Sequence, residues 1–132
     1  MPFKELPHTS DLYLEVSGTS LENLFEEAAK AMFAKLGKRD PGTEGSVVVM
    51  IEKEAPEKEG LLVKWLEGLL IEHEVSGIIF TKFKVEIDGN KLVATAFGGP
   101  GKTLENIKGV TFFDLKIWEE KGAVKARILF DI

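Results

Sequence analysis

The sequence predicts an α+β fold with two helices packed on one face of a mixed, mostly antiparallel β-sheet. Two stretches carry apolar residues at spacings of three and four, the period of an amphipathic helix. Most of the chain after Gly77 instead alternates apolar with polar residues, the period of a half-buried strand. Runs of strands beside two segregated helices are typical of α+β proteins. At 132 residues, we expect one domain over residues 1–132.

The first third of the chain predicts a strand followed by a helix. Residues 12–16 alternate as Leu-Tyr-Leu-Glu-Val, which favours a strand. Thr19 and Glu22 then stand in the relation of a capping box, which predicts a helix start. Gly37 is expected to stop this helix. Its apolar stripe consists of Leu21, Leu24, Phe25, Ala28, Ala29, Met32, Phe33 and Leu36.

The middle of the chain predicts a loop at 38–46, a strand at 47–54 and a second helix at about 58–75. His73 ends the apolar stripe of this helix, and we interpret it as a helix-end residue rather than a metal ligand. The stripe itself consists of Leu61, Leu62, Trp65, Leu66, Leu69 and Leu70.

The last third predicts strands at 79–87, 91–97 and 110–119, and a final strand that runs to Ile132. Residues 88–90 (Asp-Gly-Asn) and 120–122 (Glu-Lys-Gly) are typical of hairpin turns. Residues 96–103 fit a loosened P-loop pattern, but no helical period follows them, as phosphate binding there would require. We therefore expect a flexible loop with Lys102 exposed. A phosphate-binding enzyme is the weaker alternative.

The amino-acid composition of the chain argues against several classes of function. The chain has no cysteine, which removes disulfides, thiol catalysis and Cys-ligated zinc. Its net charge of -5 disfavours strong direct binding to nucleic acid, although a locally basic patch stays open. Neither a signal peptide nor a membrane-spanning apolar run is apparent, so a cytoplasmic location without membrane association is expected.

A divalent-cation site is the most specific chemical hypothesis from the residues alone. The final strand ends in two adjacent carboxylates, the side chain of Asp131 and the main-chain carboxylate of Ile132. Asp11 directly precedes the first alternating strand, so pairing of the two strands would bring all three groups together. These are hard oxygen donors, which suit Ca²⁺ or Mg²⁺. The alternative is that both aspartates are solvated residues at strand ends.

Four segments together resemble the archease family. They are residues 8–11 (His-Thr-Ser-Asp), the helix 20–33, the segment 61–70 and the terminal Asp131-Ile132, in the family's order over nearly the whole chain. The resemblance implies a small α+β protein that assists the GTP-dependent tRNA-splicing RNA ligase. In that role it promotes guanylylation and turnover of the ligase without being an enzyme itself.

The resemblance also implies roles for particular residues. Asp11 and Asp131 match the two family acids implicated in binding a divalent cation, for which we expect Ca²⁺ rather than Mg²⁺. His8 and Lys108 match motif positions and are candidates for contact with the partner or for activation. The other interpretation of Lys108 is a solvated lysine at a strand entry.

The chain departs from the family pattern at 98–106, where a longer loop is cut down, and at Phe113, which replaces a His. A chaperone-like or general protein-binding module, in which the two aspartates are structural, is therefore the alternative function.

Overall fold

The computed structural model describes residues 2–7 and 11–132. It contains two helices and eight strands in that part of the chain, and it confirms the predicted α+β class with a mostly antiparallel sheet. The elements are β1 (Phe3–Leu6), β2 (Leu12–Gly18), α1 (Leu21–Leu36), β3 (Gly37–Arg39), β4 (Val47–Glu54), α2 (Lys58–Ser76), β5 (Ile78–Asp88), β6 (Lys91–Thr103), β7 (Gly109–Glu120) and β8 (Ala123–Asp131).

The strands divide into two sheets, and every strand pair among the described residues is antiparallel. Sheet 1 has the order β1-β2-β8-β7, so the second strand of the chain pairs with the last one at the centre of the sheet. In sheet 2 the long strand β6 pairs with β4 and β5 along most of its length and with β3 at residues 101–103.

Both helices contact strands of both sheets, and the core lies where these surfaces meet. Trp65 of α2 is completely buried there. Its indole Nε1 donates a hydrogen bond of 2.9 Å to the main-chain oxygen of Phe25 in α1, which ties the two helices together. Its ring also packs edge to face against the ring of Phe83 in β5, with 5.9 Å between the ring centroids.

The start of α1 lies one residue later than the sequence pattern predicted. Ser20, not Thr19, is the N-cap, and its side-chain oxygen accepts a hydrogen bond of 3.1 Å from the main-chain N–H of Asn23. Asn23 in turn accepts a bond of 2.9 Å from the N–H of Thr19 through its side-chain oxygen. The predicted Thr19–Glu22 pairing is therefore wrong, because Asn23 takes the reciprocal role.

The glycine-rich segment 98–101 is not the predicted flexible loop. It lies within β6, and no helix follows it in the described chain, so the phosphate-loop alternative loses its structural basis. A side chain at Gly98 would overlap the carbonyl oxygen of Ile79, and one at Gly101 would overlap that of Lys38. These glycines let neighbouring backbones approach β6 closely. Lys102 is exposed, as expected.

The predicted loop at 38–46 is also shorter than expected, because Lys38 and Arg39 pair with β6 as part of β3. His73 ends the helix stripe as predicted. Its Nδ1 lies 2.9 Å from the carbonyl oxygen of Ile78, and its Nε2 lies 3.2 Å from the hydroxyl oxygen of Thr103.

Candidate functional site

Three strands of sheet 1 bring the predicted site residues to one edge. Leu12 of β2 is the Cα partner of Phe130 of β8, so Asp11 and Asp131 occupy the next positions along their strands. On the other side of β8, Asp131 is the partner of Gly109 at the start of β7. We call Asp11 and Asp131 the acidic edge.

Alternation along β8 decides which face of the sheet carries the Asp131 carboxylate. Leu12 and Phe130 are buried and face the core. Since successive side chains of a strand point to opposite faces, Asp131 lies on the outer face of sheet 1, and Asp11 directly precedes β2 next to the Leu12–Phe130 pair. Asp131 is exposed and Asp11 is half-buried. A Cβ added at Gly109 would meet no atom within 4 Å, so the space beside Asp131 is open.

Lys108 joins this edge through its main chain. Its N–H donates a hydrogen bond of 2.7 Å to the main-chain oxygen of Asp131. Its side chain lines a cavity of about 200 Å³ together with Glu67, Ile71 and Glu74 of α2. Lys108 is exposed, and its side chain is a cation beside two acids of the helix.

Of the other two predicted site residues, the structure describes one. Ile132 is half-buried and packs against the core, which holds the end of β8 in place. His8 lies outside the described residues.

The two aspartates could supply only part of the ligand set of a metal ion. No group of three or more His, Cys, Asp or Glu side chains that could hold a metal ion occurs in residues 2–7 and 11–132. Asp11 and Asp131 carry hard oxygen donors, the type that Ca²⁺ and Mg²⁺ prefer. Ca²⁺ takes six to eight oxygen ligands, so most ligands at this edge would come from water or a partner.

Further along the same outer face, an ion-pair network crosses sheet 1. Glu15 of β2 accepts from Arg127 of β8 at 3.0 Å and pairs with Lys4 of β1 at 3.3 Å. Burial alone would raise the pKa of Glu15, but these two hydrogen-bonded cations outweigh it and lower that pKa below its usual range. The network spans three neighbouring strands of sheet 1.

A feature that the sequence patterns did not indicate interrupts β7. The register of β7 with β8 shifts between Thr111 and Lys116. We call residues 112–115 the aromatic bulge, because its Phe112 and Phe113 are 66% and 63% exposed. In the sequence, the two phenylalanines are adjacent, whereas strict alternation of apolar and polar residues would place a polar residue at one of these positions.

The fold and the acidic edge place the chain in a class of small α+β proteins, and its similarity to known proteins identifies the family. A model of the Archease protein family matches residues 3–132. A protein archease of Methanothermobacter thermautotrophicus is 36% identical over 94% of each chain, and one of Pyrococcus abyssi is 36% identical over 83% of each. The chain belongs to the archease family.

Solved structures agree with this assignment. The solution structure of Methanobacterium thermoautotrophicum protein 1598 matches with a TM-score of 0.82 and 31% identity over 99% of each chain. A crystal structure from Thermotoga maritima, described as an archease and possible chaperone, matches with a TM-score of 0.69 over 98% of this chain and 96% of that one. At 23% identity, the second likeness bears on the fold. Among the described residues, neither helix is apolar enough over a sufficient length to cross a lipid bilayer.

Proposed function

We propose that this chain is a non-catalytic activator of the GTP-dependent tRNA-splicing RNA ligase, promoting guanylylation and turnover of that enzyme with the help of a divalent cation. Membership in the archease family supports the choice of partner. The observation that carries the proposal is the acidic edge, where the β2–β8–β7 register aligns Asp11, Asp131 and the main chain of Lys108.

The cation would be held by Asp11 and Asp131. When bound, a hard divalent ion supplies positive charge beside phosphate oxygens. We propose Ca²⁺ in preference to Mg²⁺, because Ca²⁺ accepts a variable number of oxygen ligands in a flexible geometry.

The chain's own residues would orient this charge rather than perform chemistry. The hydrogen bond from the Lys108 N–H holds the main chain of Asp131 at the strand end. The Lys108 side chain, which lies near two acids of α2, is available to a phosphate or carboxylate of the partner. His8 precedes the edge in sequence and is proposed as a further contact.

The test of the cation site is calorimetric titration of Ca²⁺ and of Mg²⁺ into the protein and into an Asp11→Asn, Asp131→Asn variant. Asparagine keeps the size of each side chain and removes its charge. We expect saturable Ca²⁺ binding that the variant loses. An Asp40→Asn, Asp88→Asn variant removes the same charge elsewhere and should bind normally. Equal Ca²⁺ binding by all three proteins would refute the site.

The test of activation is ligase guanylylation with labelled GTP, with and without the chain. We expect the unmodified chain to accelerate guanylylation and the Asp11→Asn, Asp131→Asn variant to lose most of that effect. Failure of the unmodified chain to accelerate its cognate ligase would refute the proposed function, whatever the titration shows.

A chaperone-like module is the second candidate, and one observation favours it. Exposed apolar side chains occur at several separate places, including Met50, Val75 and Phe112, which are 71%, 82% and 66% exposed. Such surfaces suit transient contact with other proteins. Suppression of aggregation of several unrelated proteins, with no effect on ligase guanylylation, would favour this candidate.

A further inference from the structure

Strand β4 lies at an edge of sheet 2 and pairs with β6 on one side. The N–H of Ala55 donates a hydrogen bond of 3.1 Å to the main-chain oxygen of Asn90, which continues the β4–β6 register. Because hydrogen-bonded pairs alternate in an antiparallel ladder, the odd-numbered residues of β4 bond to β6. The N–H and C=O groups of Val48, Met50 and Glu52 therefore point to the open side of the strand.

The first five residues of β4 are apolar on both faces of the strand. Residues 47–51 read Val-Val-Val-Met-Ile, a run without charge or proline. Val48 and Met50 are 54% and 71% exposed. Open main-chain donors and acceptors along such a strand are a template for another strand. The ligand that fits this edge is an extended chain, because only a strand presents donors and acceptors at the same two-residue spacing.

Other edge strands of the two sheets carry features that block such pairing. Strand β1 has four residues, of which Lys4 and Glu5 are charged. Strand β7 is interrupted by the aromatic bulge. On the open side of β5, the N–H of Val85 already donates a hydrogen bond of 2.9 Å to the side chain of Glu26 in α1. The register of β4 with β6 is regular, and its segment 47–51 carries no charge.

The apolar run of β4 is complementary to itself. When two copies align antiparallel about Val49, Val48 of one copy lies opposite Met50 of the other, and Val47 lies opposite Ile51. Each apolar residue of the run then meets an apolar residue. Val48 and Met50 also direct their open N–H and C=O groups at each other in this register, which gives a hydrogen-bonded pair on each side of the two-fold axis.

The neighbouring registers match less well. Alignment about Met50 would place two valines opposite Glu52 and Lys53, and alignment about Val48 would place Ser46 opposite Met50. A strand register is specified by such matching of apolar positions. A second copy supplies the matching edge by identity, whereas another protein would need an open strand of the same length and polarity.

We propose that β4 pairs antiparallel with β4 of a second copy, so that the chain forms a two-fold symmetric dimer through residues 47–51. Sheet 2 of the two copies becomes one continuous sheet with both β4 strands at its centre. On the outer face, Val48 and Met50 cover each other across the axis as cross-strand pairs. The pairing does not depend on the proposed function, because the acidic edge lies on sheet 1.

The test measures self-association by sedimentation equilibrium for the unmodified chain, a Met50→Lys variant and a Val93→Lys control. Val93 is 41% exposed on the same face of sheet 2, but it lies on β6 opposite Glu52 rather than at the edge. A Met50→Pro variant removes the open N–H and keeps the hydrogen bonds to β6. Urea unfolding of each protein verifies that the fold is intact.

We expect Met50→Lys and Met50→Pro each to raise the dissociation constant of the dimer at least about tenfold, and Val93→Lys to change it by less than about twofold. Amide hydrogen exchange gives a second readout. In the unmodified chain, protection of the N–H groups of Val48 and Met50 should rise with protein concentration, whereas that of Val49, which bonds to β6, should be high throughout.

A chain that stays monomeric up to millimolar concentrations would overturn the proposal. Equal dimerisation by Met50→Lys and the unmodified chain would do the same. Loss of the dimer in both lysine variants would assign the contact to stacking of the sheet faces and overturn the edge pairing. A dimer whose formation leaves the exchange of Val48 and Met50 unchanged would place the contact on another surface and also overturn it.

Discussion

Replacement of Trp65 by phenylalanine tests how the two helices are held together. The change removes the hydrogen bond from Nε1 to the oxygen of Phe25, which spans α1 and α2 at 2.9 Å within the core. It also replaces an indole by a smaller ring at a position with no exposed surface. Both losses fall on the contact between the helices, so the helix pair should be destabilised.

The magnitude follows from these two losses. A net hydrogen bond contributes about 1 kcal/mol to the free energy of unfolding. The phenyl ring leaves about 40 Å³ unfilled, which at about 24 cal/mol per Å³ costs about another 1 kcal/mol. We therefore expect Trp65→Phe to lower the free energy of unfolding by about 2 kcal/mol.

The assay is urea unfolding followed by far-UV circular dichroism. The slope of the unfolding free energy against urea concentration should be the same for all variants. The control is Trp118→Phe, because Trp118 is half-exposed on β7, where Lys116 and Arg127 lie over its ring in cation–π geometry, at 5.1 and 5.5 Å from the ring centroid. It should cost less than about 1 kcal/mol. A cost for Trp65→Phe no larger than for Trp118→Phe would refute the reasoning.

Two further predictions concern the strands. Gly98→Ala should destabilise the protein strongly, because the added Cβ would overlap the carbonyl oxygen of Ile79 and lie 2.8 Å from the Cα of Phe80. Gly109→Ala should be nearly neutral, because a Cβ there meets no atom within 4 Å. Similar melting temperatures for the two variants would contradict this prediction. The lowered pKa of Glu15 means that its contribution to stability is complete above the unfolded pKa of about 4.3 and is lost as pH falls through the lower folded pKa. The stability difference between the unmodified chain and Glu15→Gln should therefore shrink below about pH 4 in urea unfolding, and a constant difference would refute the role of the ion pairs.

Local patterns predicted the helices and most strands well. The second helix was expected at about 58–75 and spans Lys58–Ser76, since its apolar spacing and the left-handed Gly77 after it are both local signals. The two predicted hairpin turns are also confirmed, and their glycines Gly89 and Gly122 have positive φ angles of 61° and 80°. The N-cap of α1 was misplaced by one residue because Thr19 and Ser20 are adjacent and both are residue types that favour this role.

The candidate site was predicted in part. Its aspartates were named from their positions beside alternating strands, and the register of β2 with β8 brings those strands together. Whether Asp11 and Asp131 bind a cation stays a prediction. The place of Lys108 beside Glu67 and Glu74 depends on how α2 packs near β7, which no local pattern specifies.

The sequence alone determined the kind of each main element, because the periods of helices and strands depend on residues a few positions apart. The tertiary structure decided the division into two sheets, the close approach of backbones at Gly98 and Gly101, and the exposure of Phe112 and Phe113. Each of these depends on contacts between residues far apart in the chain. A glycine at a close contact and a glycine in a flexible loop look alike in sequence, since only the neighbouring strand distinguishes them.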